Sequence, residues 1–343
     1  MNTKKTYYNP FILLSFGLLI CFLINVSLGS VSISIKEIFK AIFGSSLDNE
    51  SHQYIIQNYR LPKAFTAIIV GSGLGISGLL MQTLFRNPLA GPFVLGISSG
   101  ASLGVALVIM GSSLFGGFLS GLLVSKWSIV MASSAGSFLV LLAVLVVSIR
   151  IRDTMAILII GLMFASITAA VVNVLAYFAP AEDLKQYIFW GFGSLGNLTW
   201  NDLGILFTIF FIGILLAIGL IKGLNALLLG ENYARSMGIR VKRNRIIIIL
   251  ATSLLAGTIT AFAGPIAFIG LAIPHLTRQL VNSSDHRILI PAVFMVGAII
   301  MLICDSVAQL PTSGFTLPIN AITSLVGAPV VIWLLVRKRK MVF

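Results

Sequence analysis

The sequence predicts an all-α polytopic membrane protein of about ten transmembrane helices with both termini cytoplasmic, and three observations carry that expectation. The chain of 343 residues is 58% hydrophobic and only 10% charged, whereas a soluble domain is near half apolar and about a quarter charged. Its mean hydropathy is +1.04. The apolar residues fall in long continuous runs, not in the short alternating segments of a transmembrane β-barrel. The bases collect in alternate loops. With the N-terminus inside, 17 of the 23 Lys and Arg residues fall on the inner side, from Lys4 and Lys5 to the tail at 337–340. Six bases lie outside (Lys36, Lys40, Arg60, Lys63, Lys126 and Lys185), with most of the acids. The net charge of +13 therefore follows membrane topology and does not point to nucleic acid.

The spans are expected at 11–28, 61–84, 93–110, 128–149 and 155–179, then at 203–221, 246–262, 266–280, 288–307 and 317–336. Such lengths suit a hydrocarbon core of about 30 Å. The first run is long for a signal peptide and lacks a small-x-small cleavage site, so it is read as a retained span. The eighth is short enough to be tilted or broken. Trp127, Trp190, Trp200 and Trp333 fall near predicted interfaces, as aromatic belts do. Cys21 and Cys304 lie within apolar runs and read as packed thiols.

Outside, a short amphipathic helix is expected near 33–43, leading to Arg60-Leu-Pro-Lys63. Pro62 suits a first helical turn, so the second span starts there with two outer cations, read either as snorkelling bases or as a docking point. The second span carries Gly71, Gly73, Gly75 and Gly78, a density that allows close helix packing or lines a path where bulk is unwelcome. The next inner loop runs from Gln82 through Arg86, Asn87, Pro88 and Pro92, and its prolines end the helix. Gly91-Pro-Phe-Val-Leu-Gly96 is echoed by Gly264-Pro-Ile-Ala-Phe-Ile-Gly270 on the opposite side, the mark of a possible inverted repeat. Arg150-Ile-Arg-Asp153 is a tight inner turn, span five carries Asn173, and a pair of short outer helices is expected between 180 and 202. Asp305 is the one carboxylate placed within a span, either a functional acid or a satisfied helix-end residue.

The stretch 229–245 departs from all this. Six of its seventeen residues are charged. Glu231 and Arg235 share a helical face, and Gly230 and Gly238 bracket a short polar helix. It reads either as a solvated connector or as a docking surface for a soluble partner. What the chain lacks bears on the choice. It has no phosphate-cradling loop and no zinc signature, and His52, His275 and His286 are scattered. No pair of intramembrane carboxylates, and no buried base facing one, is expected. Work for transport would then enter from a partner.

These residues resemble the FecCD family of ABC importer permeases, the type II importers of iron-siderophores, haem and cobalamin. The resemblance rests on residues 60–63, 82–100 around Phe85-Arg-Asn-Pro-Leu-Ala90, 229–245, 264–275, Asp285-His-Arg287 and Gly327-Ala-Pro329, in the family's order along nearly the whole chain. It implies one permease domain over 1–343, paired with an identical or closely related copy. It implies two soluble ATPase subunits inside, docked on a coupling helix bearing Glu231, Tyr233, Ala234, Arg235 and Gly238. It implies a substrate-binding protein outside, meeting Arg60 and Lys63, with Lys63 in place of a common Arg. The path would involve Gly71, Gly75, Gly78, Gln82, Asn87, Pro88 and Asn173, with an inner gate at Arg150 and Asp153. No cofactor is expected in this chain, ATP and Mg being bound by the partners, and the location implied is the cytoplasmic (inner) membrane of a bacterium. Gln309 stands where the family often has a further docking base. The rival classes are a secondary carrier for an organic solute, disfavoured by the missing acid pairs, and an intramembrane enzyme, for which no catalytic pair is present.

Overall fold

The computed structural model describes residues 8–42, 44, 47, 49–111, 125–151, 154–309 and 315–336, the side chains at 8–9, 148–150, 154 and 334–335 excepted. Among these residues the secondary structure is helical, without strands. The helices are α1 (Tyr8–Ser27), α2 (Ile35–Ile42), α3 (Glu50–Ile55), α4 (Leu61–Phe85), α5 (Ile97–Ile109), α6 (Lys126–Arg150), α7 (Thr154–Phe178) and α8 (Ala181–Gly191). They continue as α9 (Trp200–Gly219), α10 (Ile221–Leu228), α11 (Glu231–Ser236), α12 (Val241–Thr252), α13 (Thr258–Ala263), α14 (Ile269–Val281), α15 (His286–Ala308) and α16 (Ile319–Val336). A π-helical turn, Ile56–Arg60, fuses α3 to α4, and a second, Ser253–Gly257, fuses α12 to α13.

Each expected span coincides with a helix. Among the described residues seven helical stretches are long and apolar enough to cross a membrane, and α5 and residues 319–333 of α16 form shorter apolar helices. The ends are set by local chemistry. Ser125 caps α6 and Thr199 caps α9, each in a reciprocal capping box. Asp285 caps α15 by accepting from Arg287 N at 2.9 Å. Helix α4 stops at Arg86, which is left-handed at φ 47° and returns its N–H to the last turn. The outer helix expected near 33–43 is α2. Between 180 and 202, however, one helix forms before α9 where a pair was expected. After α8 the chain turns at Gly193 (φ 71°) and is held by Ser194 N donating to Ala263 O at 2.9 Å, which replaces an internal helical ladder.

Helix α4 is the axis of the bundle. It packs against α15, α14, α9 and α12, while α5 lies between α6 and α7. Contact is close because glycines face glycines. A β-carbon on Gly71 would lie 2.1 Å from Gly297 O, and one on Gly78 would lie 1.6 Å from Gly270 O. Gly100 and Gly136 bring α5 and α6 together in the same way. In lipid, where apolar tails compete for every side chain, such backbone approach is a main source of helix association.

The two echoed segments form one recurring device. Each follows a long helix, places a left-handed residue (Gly96, φ 77°; Phe268, φ 64°) before the next helix, and leads into a helix of 13 residues. They also meet, since a β-carbon on Gly270 would lie 2.7 Å from Pro92 Cδ.

Candidate functional site

The polar stretch at 229–245 folds as a short protruding helix. Gly230 enters at φ 107°, a conformation that a residue with a side chain resists, and Gly238 (φ 78°) turns the chain out. Between them, α11 buries Ala234 fully and points Tyr233 outward, 52% exposed, beside exposed Leu229 and Met237. Glu231 holds the helix. One of its carboxylate oxygens pairs with Arg235 at 3.2 Å, four residues on. The other pairs with Arg245 at 2.7 Å. Spacing on one helix shows the first partner; the second, near the start of α12, comes only from the fold. Next to α11 lies a polar hollow of about 410 Å³ lined by Phe85, Arg86 and residues 229–233. The exposed bases around it are Arg86, Lys222, Arg235, Arg240, Lys242 and Arg243.

Of the residues expected at an inner gate, Arg150 ends α6 with its side chain outside the described residues, and Asp153 lies outside them altogether. Asn173 is exposed on α7, amid an exposed apolar face that includes Ile159, Met163, Ile167 and Val174. Asn87 and Pro88 form the inner turn after α4. Asn87 Oδ1 accepts from Leu89 N at 2.9 Å, and His275 Nε2 donates to Pro88 O at 2.7 Å, which pins the turn to α14.

The expected path residues on α4 lie within the bundle of this chain. Gly71, Gly75 and Gly78 are buried against α15 and α14, where they allow close helix contact. Gln82 is buried too; its amide donates to Leu271 O at 3.2 Å and its carbonyl accepts from Arg278 at 2.7 Å.

The outer bases also find partners within the chain. Arg60 is 8% exposed and is spent on carbonyls. Its Nη1 donates to Val26 O and Ser27 O, both at 2.9 Å, and its Nη2 donates to Val31 O, so it ties the end of α1 to the start of α4. Lys63 turns inward to Asp305, 3.1 Å away. The opposite oxygen of Asp305 accepts from Asn25 and from Gln309, each at 2.9 Å. Gln309 is therefore a buried partner of Asp305. Asp305 and Gln309 are four apart on α15, a spacing visible in the sequence, but nothing local joins them to Asn25 or Lys63. Asp305 thus faces a half-buried base at the outer end of α4. Above these residues an outer hollow of about 820 Å³ is lined by Tyr54, Tyr59, Lys126, Phe189, Trp190 and Trp200.

Two further polar groups escaped sequence reasoning. Lys126 pairs with Asp202 across the start of α6 and α9. His286 is fully buried between Thr83 Oγ1 (2.9 Å) and Asn225 Oδ1 (2.7 Å), and Asn225 donates in turn to Asp285 at 2.7 Å. Among the described residues no group of three or more His, Cys, Asp or Glu could hold a metal ion.

The fold first defines a class, an all-α polytopic membrane protein with a short polar helix exposed between two spans. Comparison then places it within that class. The model of the FecCD transport family matches residues 17–337, and the chain belongs to that family. It is 33% identical over 329 residues to the hemin transport system permease protein of Yersinia pestis, covering 95% of this chain and 96% of that one. It is 38% identical over 289 residues to the vitamin B12 import system permease protein of Klebsiella pneumoniae, covering 84% of each. A solved chain described as an inward-facing conformation of a metal-chelate type ABC transporter superposes with a TM-score of 0.82 at 30% identity, covering 97% of this chain and all of that one. Family membership, and not an absence of buried ion pairs, is what sets the secondary carrier aside.

Proposed function

We propose that this chain is the membrane-spanning subunit of an ATP-driven importer that carries a metal chelate, an iron-siderophore in the first place and haem or cobalamin next, across the cytoplasmic membrane of a bacterium. Relatives named for hemin and for vitamin B12 both fit this class of bulky chelates. The observation that carries the reading is α11. It is a short helix with Tyr233, Leu229 and Met237 exposed, and its one carboxylate is held by two arginines, so that it presents a preformed surface. Two soluble ATPases dock there and bind the nucleotide and its magnesium. A second permease copy packs so that the exposed face of α7 lines the shared path. When ATP closes the ATPases, α11 moves as a rigid body and displaces the inner end of α6.

A loaded binding protein docks outside. With Arg60 and Lys63 engaged within the chain, that contact falls to the exposed outer bases Lys36, Lys40 and Lys185.

The test is co-purification from mild detergent with the cognate ATPase co-expressed. Wild type should bring the ATPase down at near equal stoichiometry, and Tyr233→Ala, which alters no charge pair, should lose most of it. An ATPase that never co-purifies, together with uptake that fails when the ion gradient is dissipated, would sink the importer reading.

A further inference from the structure

The geometry points to Arg245 as the positioning residue that makes α11 and the inner end of α6 move as one; this deepens the docking role proposed for α11 and rests on it. Arg245 starts no motif by spacing and has only 9% of its side chain exposed. Its guanidinium is divided between two elements. Nη2 donates to Glu231 Oε1 of α11 at 2.7 Å, and Nη1 donates to Ile151 O, just past the last residue of α6, at 3.3 Å. The two partners are far apart in sequence, and α12, which carries Arg245, belongs to neither.

The planar fork of arginine suits this task. It can satisfy a carboxylate and a carbonyl at once in fixed directions, which a lysine ammonium on a flexible stem does not reproduce. Burial strengthens both bonds and makes their loss costly. Helix α11 has only six residues and buries only Ala234, so apolar packing alone gives it a weak grip on the bundle. A charged hydrogen-bonded link therefore dominates how a push on Tyr233 reaches α6. Glu231 also accepts from Arg235, and that bond stays within α11 and stiffens the helix without transmitting anything.

The experiment uses the assembled importer in liposomes, with ATPase and binding protein present. Three readouts are taken: ATPase co-purification, ATP hydrolysis, and uptake per ATP. The uptake probe is whichever of a ferric siderophore, haemin or cyanocobalamin the wild type accumulates. Spin labels at Asn232→Cys and Val146→Cys, with Cys21 and Cys304 replaced, report the distance between α11 and α6. Arg245→Lys and Arg245→Gln are expected to keep the ATPase bound and hydrolysing, while uptake per ATP falls about tenfold, within the usual range of coupling between sites. The label distance should stay narrow through the ATP cycle in wild type and broaden in both variants. Arg245→Gln is the more severe version, and Arg245→Lys keeps the test standing if Arg245→Gln does not fold. Unchanged uptake per ATP in either variant, or an unchanged label distance, overturns the link. If Tyr233→Ala leaves ATPase binding intact, the docking role itself fails. If it abolishes binding while Arg245→Lys transports normally, only the link fails.

Discussion

Lys63 Nζ lies 3.1 Å from Asp305 Oδ1, and the carboxylate is almost wholly buried while the lysine keeps about a fifth of its side chain in contact with the exterior. This ion pair joins α4 to α15, and Asn25 brings α1 into the same carboxylate. It sits where transport proteins often place functional charge, yet each oxygen of Asp305 is satisfied by neighbours in the same chain. Its first consequence is for stability.

Asp305→Ala should lower the stability of the detergent-solubilised protein by about 3 kcal/mol, because it leaves a cation and two amides without their acceptor. The double substitution Lys63→Met with Asp305→Leu should cost less than the single one, since removing both charges removes the desolvation penalty too. Thermal unfolding of Asp305→Ala, of Lys63→Met and Asp305→Leu singly, and of the double variant checks this. An additive double mutant would show that the two residues do not interact.

Arg60 closes three carbonyls at the end of α1. Arg60→Ala should destabilise by about 3 kcal/mol, the range for charged hydrogen bonds lost from a buried site. Arg60→Lys should not restore it, because an ammonium does not reproduce the fork that reaches residues 26, 27 and 31. If Arg60→Ala keeps the wild-type melting temperature but loses binding-protein capture, the residue is a docking base after all.

Gly78 allows α4 to touch α14 backbone to backbone. Gly78→Ala should cost about 3 kcal/mol, because the obstructing atoms at 1.6 Å and 2.5 Å are carbonyl O and C of Gly270 and cannot rotate away. Gly219→Ala, with nothing within 4 Å of the added carbon, should be neutral or slightly stabilising. Yield of folded protein by size-exclusion profile is the readout. A Gly78→Ala protein that folds normally but transports differently would return this glycine to the path.

Asp285 gives a pH dependence. Burial works against its charge, but the hydrogen bonds from Arg287 N and from the Asn225 amide, with the charge of Arg287, hold the carboxyl below its usual range. A folded pKa below the unfolded value of about 3.9 means that the stabilisation is complete above that value and is lost as pH falls through the folded pKa. Asp285→Asn keeps a capping oxygen but loses the charge that strengthens its hydrogen bonds, and should therefore be less stable than wild type by about 1 kcal/mol at neutral pH. The gap should be constant down to about pH 5 and close in stronger acid. A gap that stays constant to pH 2 would show that the charge is not what matters.

The sequence by itself determined the class, the order of the spans, the caps and the exposed helix at 231–236. Hydropathy, proline, glycine and capping residues act over a few neighbours, so their effects can be read along one dimension. Tertiary structure alone decided which face of α4 is covered. That helix is apolar or small all round, so no periodic stripe marks an inner side. This is why the sequence left close packing and path lining both open for Gly71, Gly75 and Gly78, whose partners on α14 and α15 come only with the fold. It also decided the fate of the charged groups. Arg60 and Lys63 look like outer bases by position, and Asp305 looks isolated, because the carbonyls and side chains that satisfy them come from helices distant in sequence. The same holds for Arg245, whose partners Glu231 and Ile151 are brought together only by the packing of α6, α11 and α12.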